Sequence, residues 1–170
     1  MVRRRLIATP AAVWLVAALL GGCTGLYPAH PPSDAADPRG MVLLPSGRSL
    51  LVEVADTPSS RARGYMFRER IPEGEGMVFL MQSLDFHPFW MKNCLTALDI
   101  VWLDESWRIV HVERAVPPCK ADPCPSYAPL SKSLYVLEVG AGEADGLGLT
   151  LGARITFVPP GTPPADPPEP

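Results

Sequence analysis

The side chains best placed for chemistry in this 170-residue chain are a few charged groups set among apolar residues. Asp99 lies in the apolar run Leu98–Leu103, where a strand would place it on the same face as Val101 and Leu103. A carboxylate in such a place must be paired or hydrogen-bonded, because unpaired burial costs several kcal/mol. The sequence offers four partners nearby, namely Lys92, Asn93, Arg61 and Arg68.

These polar residues have two interpretations. The first is a structural network that joins loop 92–98 to a preceding helix. The second is a small-ligand cleft, which combines apolar walls with a few convergent polar groups. The cleft would be lined by Arg61, Arg68, Trp90, Lys92, Asn93 and Asp99. Its cationic members favour a small anionic ligand.

Cys119 and Cys124 lie in the short proline-flanked segment P-P-C-K-A-D-P-C-P. In an exported protein such thiols meet an oxidising environment, so we predict a disulfide between them. Closing so short a loop contributes only about 2 kcal/mol in the chain-entropy model. A zinc site is the alternative, but no second Cys or His pair with ligand spacing accompanies the segment. The spacing also differs from a redox C-x-x-C motif.

Cys94 is the odd cysteine, and it too has two interpretations. It could be a nucleophile whose thiolate is favoured by Lys92. No paired base is evident, however, so we favour a buried free cysteine that packs as a small apolar residue. His30, His87 and His111 show no ligand spacing, and we predict neither a metal nor another cofactor.

The first 22 residues are typical of a lipoprotein signal peptide. Three arginines at positions 3–5 precede an apolar stretch, which ends in L-G-G-C at Cys23. This ending resembles the lipobox of bacterial lipoproteins, in which the cysteine is acylated and becomes the new N-terminus. Several acyl chains attach a protein firmly, since each buried methylene contributes about 0.8 kcal/mol. Thr24 follows where an inner-membrane retention signal has Asp, so the resemblance to bacterial lipoproteins implies anchoring on the periplasmic side of the outer membrane.

Beyond the signal peptide, composition divides the chain into three parts. We expect a lipid anchor and disordered tether over 23–40, a single domain over 41–158 and a disordered tail over 159–170. The tail has seven prolines in twelve residues. Loss of the signal arginines leaves 12 basic against 18 acidic residues, which argues against a nucleic-acid partner.

The pattern within 41–158 predicts a compact, mainly β domain, an antiparallel barrel or sandwich with one short helix. Thr57-Pro58 predicts the start of that helix and Gly64 its end. Strands are expected at 41–44, 49–55, 76–81, 89–92, 98–103, 108–114, 133–139 and 154–158. The apolar core is expected to include Tyr65, Met66, Phe67, Met77, Phe79, Met81 and Trp102.

Five short segments resemble the family called domain of unknown function 192. They are R-A-R-G-Y-M-F-R at 61–68, G-M-V-F at 76–79, F-W-M-K-N-C at 89–94, L-D-I at 98–100 and L-E-V at 137–139, with Gly142 after the last. The resemblance covers about residues 41–158. It implies a small, mostly antiparallel β fold with one helix, and it implies no established activity, cofactor or catalytic residue.

We therefore expect a lipid-anchored envelope protein whose domain is a non-catalytic accessory or small-ligand-binding module. The alternative is an envelope hydrolase or transferase that uses Asp99 or Cys94. The sequence has no Ser-His-Asp arrangement, H-E-x-x-H motif or Gly-rich phosphate loop to support it.

Overall fold

The computed structural model describes residues 38–162. The predicted signal peptide, Cys23, nearly all of the predicted tether and the tail beyond Thr162 lie outside the described residues. Within 38–162 the chain forms nine strands and two helices. They are β1 (Arg39–Leu43), β2 (Ser49–Ala55), α1 (Pro58–Arg63), β3 (Glu75–Asp85), β4 (Phe89–Trp90), β5 (Leu98–Leu103), β6 (Ile109–Val116), β7 (Ser126–Tyr127), β8 (Ser133–Gly140), α2 (Glu143–Gly146) and β9 (Thr156–Val158).

Seven of these strands form one sheet in the order β6-β5-β8-β3-β2-β1-β9, and β4 pairs with β7 in a second, two-stranded sheet. The mainly β prediction is confirmed. One pair departs from the antiparallel expectation, because β2 and β3 run parallel. The chain crosses between them through α1, and parallel neighbours require such a crossover instead of a hairpin turn. Because of this crossover, the end of α1 lies against one face of the sheet.

Helix α1 begins and ends where its capping residues predict. The Thr57 hydroxyl accepts a hydrogen bond from the Ser60 N–H at 3.0 Å, and the Ser60 hydroxyl caps the Thr57 N–H in return. Gly64 ends the helix with φ 47°, a left-handed value that costs glycine little. The single turn α2 is a second helix that the sequence did not predict. Neither helix within 38–162 has the length and apolar content needed to cross a membrane.

Apolar clusters cover both faces of the sheet, and β5 shows why. All six of its residues are buried. Leu98, Ile100 and Trp102 enter one cluster with Met77 and Phe79. Val101 and Leu103 enter the other, which also contains Ala144 of α2. We call the first cluster the cleft-side core and the second the α2-side core.

The predicted core is correct for Tyr65, Met77, Phe79 and Trp102, all at most 3% exposed. The prediction is wrong for Phe67, which is 63% exposed. The prediction rested on the apolar character of Phe67 alone, and its backbone lies in the turn after α1 with φ 64°. Met66 and Met81 are only half-buried.

Candidate functional site

A small cleft opens on the cleft-side core, between the end of α1 and strand β4. Its volume is about 30 Å³, which is room for about one water molecule. The turn 61–66 forms one side, and Phe89, Trp90, Lys92 and Cys94 form the other. Phe79 of β3 and Glu138 of β8 complete the lining. Phe79 and Phe89 meet edge to face with their ring centroids 4.9 Å apart, which makes an apolar wall.

Glu138 is the buried acid of this cleft. Only 4% of the residue is exposed, and no hydrogen bond or ion pair reaches its carboxyl group within residues 38–162. A Cβ at Gly64 would lie 3.9 Å from Glu138 Oε2, so the end of α1 packs directly against the carboxylate. Burial raises the pKa of Glu138 to about 8. The group is therefore mostly protonated at neutral pH and can donate a hydrogen bond into the cleft.

Glu138 was not among the site residues predicted from the sequence, although a usable signal was present. It is a carboxylate inside the apolar strand β8, which is the same pattern that drew attention to Asp99. The alternation of β8 places it on the cleft side, opposite Val139 and Leu137 of the α2-side core.

Three of the predicted site residues do meet at this cleft, namely Arg61, Trp90 and Lys92. Arg61 Nη1 donates to the carbonyl oxygens of Asp56 and Leu80, the latter at 3.0 Å. Both acceptors are neutral, and Arg61 forms no ion pair within residues 38–162. Lys92 Nζ lies 5.6 Å from the centroid of the Trp90 ring, and the Trp90 side chain is itself exposed. The mouth of the cleft therefore carries positive charge beside an exposed aromatic surface.

Arg68 lies behind the cleft wall and does not line the cleft. Its guanidinium donates to both carboxylate oxygens of Glu53, at 2.5 and 2.6 Å. The Arg68 Cζ also lies 5.0 Å from the centroid of the Tyr65 ring. Burial alone would raise the pKa of Glu53, but the hydrogen bonds and charge of Arg68 outweigh it and hold that pKa below its usual value. Burial also raises the pKa of the Tyr65 phenol.

Asp99 lies apart from the cleft, and its partners differ from those that the sequence suggested. Its Oδ1 accepts from the Ala115 N–H at 2.7 Å, and its Oδ2 from the Ala144 N–H at 2.9 Å. The side chain points into the α2-side core, on the face opposite Glu138. Asp99 thus joins the irregular end of β6 to the start of α2, with no pairing to Lys92, Asn93, Arg61 or Arg68.

Asn93 also lies outside the cleft lining. With φ 58° it occupies a left-handed turn, and its carbonyl oxygen accepts from the Phe67 N–H at 2.8 Å. Its side chain lines a neighbouring depression with Lys92 and the segment that runs from Cys119 to Cys124. Through this backbone hydrogen bond, Asn93 joins the turn after α1 to the segment 89–94 outside the cleft lining.

Cys94 is a buried free thiol on the cleft wall. Burial raises its pKa to about 11, with a smaller contribution from the charge of Glu138. Within 38–162, no histidine lines the cleft to act as its base. These surroundings suit the packing interpretation of Cys94 better than the nucleophile interpretation.

We predict that native protein at pH 8 resists iodoacetamide at Cys94 for hours, because its thiol is buried and almost entirely protonated. After unfolding in guanidinium chloride the same thiol should react within minutes. Peptide mass spectrometry of the two samples measures this difference. Rapid alkylation of the native protein would contradict the buried assignment.

The sulfur atoms of Cys119 and Cys124 lie 2.10 Å apart, in a disulfide arrangement. The loop that they close is mostly exposed, and its Asp122 carboxylate lies 3.3 Å from Lys92 Nζ. Among residues 38–162, no group of three or more His, Cys, Asp or Glu side chains is arranged to hold a metal ion.

A larger groove of about 360 Å³ lies elsewhere on the domain, lined by Arg48, Ile71, Glu73, Gly74, Glu143, Gly146 and Leu147. Arg48, the one cation among the described residues of its lining, already donates to the Gly146 carbonyl oxygen. This groove is larger than the small cleft, and so is a groove of about 380 Å³ beside residues 117–125. We favour the smaller cleft because it combines a buried carboxyl group with an arginine that has no acidic partner among the described residues.

The DUF192 family model, described as an uncharacterized ACR, matches residues 41–157 of the chain. This chain belongs to the DUF192 family. A UPF0127 protein of Thermococcus sibiricus is 29% identical over 111 residues, which are 62% of this chain and 65% of that protein. The chain thus spans less than two thirds of that relative's length.

Two crystal structures resemble this DUF192 chain. A protein of unknown function from Novosphingobium aromaticivorans matches with a TM-score of 0.62 and 29% identity, over 69% of this chain and 83% of that one. A provisionally assigned transcription regulator from Sinorhizobium meliloti matches with a TM-score of 0.60 and 29% identity, over 71% and 92% of the two chains.

The cleft coincides with the segments that carried the family resemblance. All twelve of its lining residues fall within 61–68, 76–79, 89–94 or 137–139. These segments come from four separate parts of the DUF192 domain, and only the fold brings them to one place.

Proposed function

We propose that this DUF192 protein is an envelope lipoprotein whose domain binds a small carboxylate-bearing ligand in the Glu138 cleft. The observation that carries the proposal is the combination, in one lining, of the buried acid Glu138 with Arg61, which forms no ion pair with any acid of residues 38–162. Recognition needs only hydrogen bonding and charge, so the proposed domain is a binding module.

The charges of the cleft determine the ligand class. A protonated Glu138 offers a hydrogen-bond donor at the floor, and Arg61 and Lys92 offer positive charge at the mouth. A carboxylate can accept from both, and charge-assisted hydrogen bonds are about twice as strong as neutral ones. The volume of about 30 Å³ admits only the end of a ligand. The rest of the molecule would lie outside, against the exposed Trp90 ring.

We expect the Lys92→Ala variant to bind succinate about tenfold more weakly than the native chain, because a single charge-assisted contact contributes roughly that factor. Calorimetric titration at pH 6.5 measures the change. Lys132→Ala is the matched control, since Lys132 is an exposed lysine that lies 4.0 Å from Asp85 and does not line the cleft.

The pH dependence tests the role of Glu138 in the same titration. Native affinity should fall as the pH rises through 8, because an ionised Glu138 repels the carboxylate. Glu138→Gln keeps a neutral donor, so it should bind with little dependence on pH. Equal succinate affinity in the Lys92→Ala and native chains, together with no effect of pH, would reject the proposed site.

The envelope location rests on the sequence alone, through the L-G-G-C ending and Cys23. We expect a bacterial host that expresses the chain to incorporate labelled palmitate into it and to place it in the membrane fraction. Cys23→Ser should abolish both, because the acceptor thiol is lost. Cys94→Ser is the control, since Cys94 is buried in the folded domain. Labelling of the Cys23→Ser chain would contradict acylation at this position.

A further inference from the structure

The outer wall of the Glu138 cleft is held by the segment that contains the Cys119–Cys124 disulfide. Strand β4, which supplies Phe89 and Trp90 to the wall, pairs with β7 in the two-stranded sheet. Strand β7 begins at Ser126, two residues after Cys124. An isolated pair of such short strands is marginally stable in water, so it needs support from outside.

Two more contacts join the same segments. The Cys119 N–H donates to the Met91 carbonyl oxygen at 3.2 Å, and Lys92 Nζ lies 3.3 Å from both carboxylate oxygens of Asp122. Cys119 also packs against the cleft-side core. The residues from Phe89 to Lys92 are thus attached, one after another, to the segment 119–127. An exposed ion pair contributes little by itself, and so the covalent link matters more.

We infer that the Cys119–Cys124 disulfide holds this wall in its ligand-binding arrangement, so that opening the bond lowers the affinity of the cleft. This inference rests on the proposed function of the same site. Without the bond, the exposed residues 120–123 no longer keep Cys119 and β7 at a fixed separation. The contacts of Met91, Lys92 and β4 with the segment then form and break independently.

A dithiol reductant can open the bond, since the loop is largely exposed. One thiolate of the reductant attacks a sulfur atom, and the resulting mixed disulfide is resolved by the second thiol. The reductant becomes a disulfide. Its two electrons and two protons pass to Cys119 and Cys124, which become free thiols. Cys94 takes no part in this exchange, because it is buried in the wall.

The test compares the full chain before and after treatment with dithiothreitol, and a Cys119→Ser/Cys124→Ser variant. Hydrogen exchange measured by mass spectrometry reports on peptides that cover β4 and β7, with the β1–β2 hairpin as the internal control. Calorimetric titration with succinate reports on the cleft. If the reduced wall is formed only one tenth of the time, the apparent dissociation constant rises about tenfold.

We expect faster exchange at β4 and β7, unchanged exchange in the hairpin and weaker succinate binding in both the reduced chain and the double variant. Dithiothreitol should have no further effect on the double variant. Unchanged exchange at β4 and β7 would overturn the inference, whatever succinate does, and so would faster exchange with unchanged affinity. If the oxidised chain itself binds no succinate, faster exchange at β4 and β7 on reduction would reject the proposed ligand class and still support the role of the disulfide in the wall.

Discussion

The native protein is expected to lose stability between pH 4.5 and pH 8, and Glu138→Gln is expected to remove most of that loss. In this range the folded state keeps a proton on Glu138, whose pKa is raised to about 8, whereas the unfolded state releases it near 4.5. The unfolding free energy therefore falls by about 1.4 kcal/mol per pH unit through this group. Below pH 4.5 and above pH 8 both states carry the same charge at Glu138, so its contribution is constant.

Urea unfolding at pH 5, 6.5 and 8 measures this effect. The glutamine variant should match the native chain at pH 5 and exceed its stability at pH 8, because the amide never ionises. Glu105→Gln is the matched control, because this substitution also replaces a glutamate by glutamine. Glu105 is exposed in the turn between β5 and β6. A native and a Glu138→Gln profile that run parallel across the range would mean that Glu138 is ionised in the fold.

Asp99→Ala is expected to destabilise the domain by about 3 kcal/mol or more, because it removes two hydrogen bonds to a charged acceptor. The N–H groups of Ala115 and Ala144 lose their partner, and that of Ala144 is buried. Succinate binding at a temperature where the variant is folded should be unchanged, since Asp99 faces the α2-side core. Thermal unfolding measures the loss of stability, and calorimetric titration measures succinate binding.

Asp145→Ala is the control for Asp99→Ala. Asp145 belongs to α2 and also bonds to β6, where it accepts from the Arg114 guanidinium at 2.7 Å. Its side chain is 69% exposed, so its loss should cost less than about 1 kcal/mol. If Asp99→Ala abolished succinate binding in a stable fold, Asp99 would belong to the binding site after all.

The two acids illustrate what position in the fold does to one residue type. Both lie in strands that are buried on both faces, and both are almost completely buried. Asp99 is beside two backbone N–H groups that the bulge of β6 and the first turn of α2 present to it. Glu138 has no such donor within the described residues and faces the cleft. One carboxyl group is therefore used for structure, and the other is available for a ligand.

The sequence alone was sufficient where the signal is local. The bounds of β5 were predicted residue for residue, because the mostly apolar run from Leu98 to Leu103 ends at the polar turn that begins with Asp104. The ends of α1 followed from Thr57, Pro58 and Gly64, whose preferences depend on the backbone of one turn. The prediction of a Cys119–Cys124 disulfide combined their short spacing with the expected export, and the two sulfur atoms lie 2.10 Å apart. The family segments could also be recognised from the sequence, since each is a run of adjacent residues.

Only the tertiary structure decided which of these segments meet. Local patterns carry no information about which face of β5 or β8 turns toward which neighbour, so the sequence grouped Asp99 with Lys92 and left Glu138 out. The parallel pairing of β2 with β3 depends on the path of the crossover through α1. The turn α2 lies beside Asp99, whose Oδ2 accepts from the Ala144 N–H, 45 residues further along the chain. The cleft exists because four segments, distant along the chain, converge on one face of the sheet. Convergence of this kind is set by long-range packing, and no single segment encodes it.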